Sequence, residues 1–165
     1  MPTPLYFSAV PSPASVNAPT STPGDEARHP SAPGSVLYVD DHPLNVLLMR
    51  SLFRHRPALR LTAVASGAAA LQSAMAEPPA LLLLDLRLPD MGGIELLGRI
   101  RRLPALSTVP AVALSAEGHR TACAAAGFCE FWRQPLDRRG VLAALDRLLR
   151  PRAVAALRPE ALAGG

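Results

Sequence analysis

LLLLDLRLPDMGG, residues 81–93, is an apolar run that closes on a carboxylate and then turns. A short, wholly apolar run bounded by turn residues reads as a strand covered on both faces, the habit of a parallel sheet. Pro89 and the pair Gly92-Gly93 set the turn that follows. Asp85 therefore stands at the carboxyl end of a strand, where a charge has no packing role.

Outward from this stretch, short apolar runs alternate with longer amphipathic ones from Ser35 onward. Strands are predicted at 36–40, 61–65, 80–85, 109–115 and 128–132, and helices at about 43–56, 67–76, 93–102, 118–126 and 137–149. Pro43 suits a first helical turn, and Gly67 and Gly127 mark turns, the latter at a helix end. Five strand–helix units make an α/β fold, a doubly wound five-stranded parallel sheet of flavodoxin-like order 2-1-3-4-5, whose ligands sit beyond the carboxyl ends of the strands. Residues 1–34 hold eight prolines among Ser, Ala and Thr and read as a Pro/Ser/Ala-rich tail or linker. The domain is expected over 35–150, with 151–165 as a short C-terminal tail.

Composition narrows the function. A chain of 165 residues, 49% of them apolar, suits one ordinary domain. The net charge of +4 rests on seventeen arginines, with no lysine anywhere. They are spread over several helices, and aromatics make up only 4%, so a nucleic-acid surface is not expected, whereas an acidic protein partner is compatible. No apolar run reaches the roughly 20 residues of a membrane span and no signal-peptide pattern opens the chain, which predicts a cytoplasmic protein with no membrane partner. Cys123 and Cys129 read as free buried thiols, not as a disulfide or a metal cage.

Asp40 and Asp41 end the first strand and Asp85 the third. In the order 2-1-3-4-5 those strands are neighbours, so three carboxylates meet at one edge. Like charges resist joint ionisation, and a hard divalent cation relieves them; Mg²⁺, held by one or two carboxylates plus a phosphate, suits the set. Capping of the next helix would explain either Asp40 or Asp41 alone, but not three acids at one edge. Ser115 ends the fourth strand on the same crevice, and the loop after Asp85 can present a backbone carbonyl to a cation.

The segments VLYVDD (36–41), LLLLDLRLPDMGG (81–93), VPAVALSAE (109–117) and FWRQPLD (131–137) together resemble a response-regulator receiver domain of two-component signalling, CheY-like, over about residues 35–150. DDHPLN (40–45) is most similar to receivers of hybrid histidine kinases. The resemblance implies that Asp85 is the phosphoacceptor, that Asp41 binds Mg²⁺ directly and Asp40 largely through water, and that the backbone carbonyl of Arg87 is a further ligand. It also implies that Ser115 binds a phosphoryl oxygen, that Phe131 is the aromatic whose rotamer reports the state, and that a histidine kinase or phosphotransfer protein donates the phosphoryl group to a domain that signals by docking on a downstream protein.

Two departures from the family pattern stand out. Gln134 occupies the place of the usual lysine; it can donate a hydrogen bond but brings no charge, and the neighbouring Arg133 is poorly aimed because successive strand residues face opposite sides. The stretch between Ser115 and Gly127 is about three residues short, leaving a fourth helix of barely two turns. A phosphoacceptor is therefore weighed against a pseudo-receiver that binds a partner without a phosphorylation switch. An aspartyl-phosphate phosphohydrolase is disfavoured, since its second acid would fall at Arg87. His55 reads as part of a solvated basic helix face, His42 as a turn residue and Trp132 as strand packing. Too few residues follow position 150 for an output module, which suggests a stand-alone receiver or the end of a kinase–receiver hybrid.

Overall fold

The computed structural model describes residues 34–150. The proposed tails at 1–34 and 151–165 lie outside that range, Gly34 excepted.

Five parallel strands, β1 (Ser35–Val39), β2 (Arg60–Val64), β3 (Leu81–Asp85), β4 (Ala111–Ser115) and β5 (Glu130–Arg133), lie in the order β2-β1-β3-β4-β5. Between and after them run α1 (Pro43–Phe53), α2 (Gly67–Ala76), α3 (Gly93–Arg101), α4 (Arg120–Ala126) and α5 (Arg138–Leu148). This is the doubly wound, flavodoxin-like arrangement that the alternation of runs predicts. The ends differ by one to three residues. Phe128, for example, belongs not to β5 but to the turn after α4, where it is buried and its N–H donates to the Cys123 carbonyl.

Side-chain alternation divides the core into two layers. Leu37, Val39, Leu82, Leu84, Ala111 and Ala113 pack against Ala70 and Ala74 of α2, Leu96, Leu97 and Ile100 of α3, and Cys123 of α4. The intervening residues Val36, Tyr38, Leu81, Leu83, Val112 and Leu114 face Met49, Leu52 and Phe53 of α1 and Val141 and Leu145 of α5. Leu81 to Leu84 are all 0% exposed, so each contributes about 1.5–3 kcal/mol of burial. Truncating Leu83 to Ala is expected to cost about 2–5 kcal/mol through the cavity it leaves.

Local chemistry sets the helix ends. Ser66 accepts from the Ala69 N–H at the start of α2, and Asp137 does the same for the Gly140 N–H at the start of α5. The seven-residue α4 stops at Gly127, whose φ of +96° is a left-handed C-cap that glycine adopts without strain. Gly93 opens α3 against β3 so closely that an added Cβ would lie 2.3 Å from the Asp85 carbonyl oxygen.

One expectation changes and another is refined. Cys129 is exposed, not buried, because β5 begins after it at the sheet's edge; both cysteines are free thiols, with Cys123 buried. His55 is exposed, as a solvated basic face requires, but it lies in the turn after α1, where it accepts a hydrogen bond from Arg138 of α5. Arg56, in the same turn region after α1, grips Asp146 of α5 with two nitrogens at 2.7 and 2.6 Å. No helix among the described residues is long and apolar enough to cross a membrane.

Candidate functional site

Pairing of β1 with β3 aligns Tyr38 with Leu83 and Val39 with Leu84, which brings the residues just past Val39 level with Asp85. Ligand oxygens of Asp40, Asp41 and Asp85 consequently lie within 4.8 Å of one another. That convergence, the premise of the sequence argument, is met.

The three acids are held differently. Asp40 is fully buried and accepts three hydrogen bonds: from the Tyr38 hydroxyl at 2.5 Å, the Asn45 amide at 3.0 Å and the His42 N–H at 2.8 Å. Buried carboxylates survive only with such donors. Asp41 is exposed, and none of the described donors reaches it. Neither caps α1, whose N-cap His42 makes no side-chain bond, so helix capping does not explain the pair.

Asp85 is half-buried, with Oδ1 accepting from the Arg87 N–H at 2.9 Å. Burial pushes its carboxyl above the ordinary range and the charges of Asp40 and Asp41 push the same way, while the Arg87 N–H and guanidinium oppose them. Tyr38 is held protonated, first by burial and then by its bond to Asp40. A hard oxygen-ligand cation fits this set, since three carboxylates within a few ångströms carry negative charge that one small ion offsets.

Ser115, buried at the end of β4, accepts through Oγ from the Glu117 N–H at 3.1 Å. Its carbonyl accepts from the Gln134 N–H at 2.9 Å, which seats Gln134 beside it. The Gln134 Nε2 is buried and has no hydrogen-bond partner among the described residues. Gln134 shares its strand face with Trp132, which packs towards α1 and α5; Arg133, exposed, shares the opposite face with Phe131. Phe131 is half-buried, with the Arg120 guanidinium 5.5 Å from its ring centre.

The loop after Asp85 is pinned from two sides. Asp90 accepts from the N–H groups of Gly67 and Ala68, both at 2.8 Å, at the start of α2. Arg87 Nη1 donates to Glu117 at 2.8 Å, and His119 lies 3.2 Å from the other Glu117 oxygen.

Sequence reasoning passed over Tyr38, Asn45, Asp90 and the Arg87–Glu117 pair as parts of the site. A tyrosine in an otherwise aliphatic central strand, two residues before a buried acid, was the available signal for the first. The others depend on loops that meet only in the folded chain.

The family profile described as the response regulator receiver domain matches residues 36–146. The chain is 37% identical over 105 residues to an uncharacterised 14.6 kDa protein of Leptolyngbya boryana, covering 62% of this chain and 79% of that one. It is 41% identical over 81 residues to the transcriptional regulatory protein KdpE of Mycobacterium tuberculosis, covering 49% of this chain and 34% of that one. Thus the chain spans about a third of that longer relative. Among solved structures, the receiver domain of sensor histidine kinase PA1611 from Pseudomonas aeruginosa, which has magnesium coordinated in its active-site cleft, superposes with a TM-score of 0.64 at 30% identity. That match covers 72% of this chain and 98% of that domain.

Proposed function

The chain belongs to the response regulator receiver family of two-component signalling, and on that premise we propose that it is a working phosphoacceptor that takes a phosphoryl group onto Asp85 and signals by docking on another protein. The observation that carries the proposal is the gathering of Asp40, Asp41 and Asp85 around one point.

Asp41 and Asp85, with the Arg87 carbonyl, would hold Mg²⁺ directly, and Asp40, already engaged by three donors, would act on it largely through water. When bound, the ion neutralises charge on the transferring phosphoryl oxygens and on the carboxylates around them. The remaining chemistry belongs to the chain. A carboxylate oxygen of Asp85 attacks phosphorus of a phosphohistidine on a histidine kinase or phosphotransfer protein; the P–N bond breaks, and its electron pair returns to the imidazole. The Arg87 N–H fixes the attacking carboxylate, Asn45 and Tyr38 fix Asp40, and Ser115 and Gln134 offer a hydroxyl and an amide to phosphoryl oxygens. Release of Ser115 from the Glu117 N–H would shift the loop before α4 and, through it, Phe131. The reaction is the protein's own modification, and its setting is the cytoplasm.

A second reading has its own support. The neutral Gln134, whose buried Nε2 has no partner among the described residues, together with the seven-residue α4, favours a pseudo-receiver that binds its partner without a phosphorylation switch.

Incubation with acetyl phosphate or phosphoramidate and Mg²⁺, followed by intact-mass measurement, separates the two. Wild type should gain one phosphoryl group and Asp85→Asn none. A wild type that binds Mg²⁺ yet gains no mass would establish the pseudo-receiver.

A further inference from the structure

The site as built lacks a cation where a phosphoryl group would need one. Asp85 is monoanionic before transfer, and its acyl phosphate carries a larger negative charge on three acceptor oxygens. Gln134 donates a neutral hydrogen bond at most. Arg133 shares a strand face with Phe131, opposite to the face that Gln134 shares with Trp132. Arg87 is differently placed: its N–H bonds the Asp85 carboxylate at 2.9 Å, and its guanidinium bonds Glu117, two residues past Ser115, at 2.8 Å.

We infer that the Arg87 side chain is the cation of this site, held in reserve by Glu117, and that phosphorylation of Asp85 draws it from Glu117 onto the phosphoryl oxygens. The inference rests on the phosphoacceptor reading and extends it.

The energetics favour the exchange. The Arg87–Glu117 pair uses one guanidinium nitrogen at 2.8 Å, and the two side chains are 72% and 55% exposed. A pair so open to solvent is worth little. A phosphoryl group accepts the planar guanidinium through two parallel N–H bonds at higher charge, a stronger contact in a half-buried setting. No bond to the backbone need change, because the Arg87 N–H already lies on Asp85.

The exchange also has a route outward. Glu117 is bound three ways: to Arg87, to His119, and by its own N–H to Ser115 Oγ. Losing Arg87 leaves it held by His119 and by a serine that the phosphoryl group also attracts. Arg120, directly after His119, covers Phe131 as the first residue of α4. A helix of seven residues without a side-chain N-cap is easily shifted by such a loss. Release of one ion pair thereby reaches the aromatic through the only two residues between Glu117 and Arg120, Gly118 and His119.

The test measures phosphoryl uptake from acetyl phosphate with Mg²⁺, by intact mass over time, in the full chain. Arg87→Gln should slow uptake about tenfold, the scale of one charge-assisted contact, while Arg87→Lys retains most of the rate. In Arg87→Gln, adding Gln134→Lys should restore uptake to within about threefold of wild type, since a cation from the opposite side of the site replaces the lost one; a merely structural role for Arg87 would not be rescued in this way. Glu117→Gln should speed uptake about twofold by freeing the guanidinium. Uptake by Arg87→Gln within twofold of wild type, or a loss on Arg133→Gln in place of Arg87→Gln, would overturn the inference while leaving Asp85 as acceptor. Absence of uptake by wild type would overturn both.

Discussion

The ends of β1 and β3 and the ends of β4 and β5 form two halves of one crevice, built on opposite electrostatic plans. On the first half, three carboxylates crowd within 4.8 Å, one fully buried and supplied with three donors, another pushed above its ordinary pKa. On the second half, the two side chains assigned to the site are neutral: a buried serine engaged by a backbone N–H, and a glutamine whose Nε2 has no partner among the described residues. Negative charge is thus built into one half, while on the proposed reading the compensating positive charge would come from an ion and from the Arg87 side chain. On the proposed function, cation binding would be a property of the first half, and the strength of the response a property of the second.

The contrast can be broken most severely at its acidic half. Asp41→Ala should weaken Mg²⁺ binding about 10- to 100-fold in a calorimetric titration, whereas Ser115→Ala should leave it nearly unchanged; equal losses would dissolve the division. Gly93→Ala forces a Cβ to within 2.3 Å of the Asp85 carbonyl and should destabilise the fold by about 1–3 kcal/mol in denaturant unfolding. Tyr38→Phe removes a buried donor from Asp40, with an expected cost of about 1–2 kcal/mol and a weaker hold on Mg²⁺.

A subtler check uses pH. The folded-state pKa of Asp85 is raised, so the carboxyl favours the fold when protonated and opposes it once ionised. Without Mg²⁺, Asp85→Asn should melt at a higher temperature than wild type at pH 7. That gain should fade as the pH falls through the raised value of Asp85 and be gone below the ordinary aspartate value, and Mg²⁺ should reduce it. A mutant that melts lower than wild type at neutral pH would contradict the assignment of burial as the dominant cause. Smallest of all, Gln134→Lys should leave Mg²⁺ affinity unchanged or slightly reduced while enlarging the phosphorylation-dependent change, followed by comparing spectra with and without acetyl phosphate.

Much of this was legible beforehand. The run at 81–85 needs no tertiary information to be read as a buried parallel strand, and period-two alternation around Tyr38 places Asp40 on the same face as Asp85 once β1 and β3 are neighbours. Strand ends were less legible. Propensity does not reveal where a neighbouring strand stops offering partners, and β5 begins two residues after Phe128 because Gly127 and Phe128 first close α4. Cys129 was misjudged for a related reason, since exposure at the edge of a sheet depends on what covers it.

By itself, the sequence determined the order of elements, the identity of the acids that close them and the absence of lysine from the fifth strand, because periodicity and residue chemistry are local. Only the tertiary structure decided that Asp40 is the fully buried acid with three donors, that the Gln134 Nε2 is buried with no partner among the described residues, and that Arg87 faces Glu117 thirty residues away. Such facts arise from loops on different strands meeting at one edge, and a contact between distant segments leaves no period in either of them.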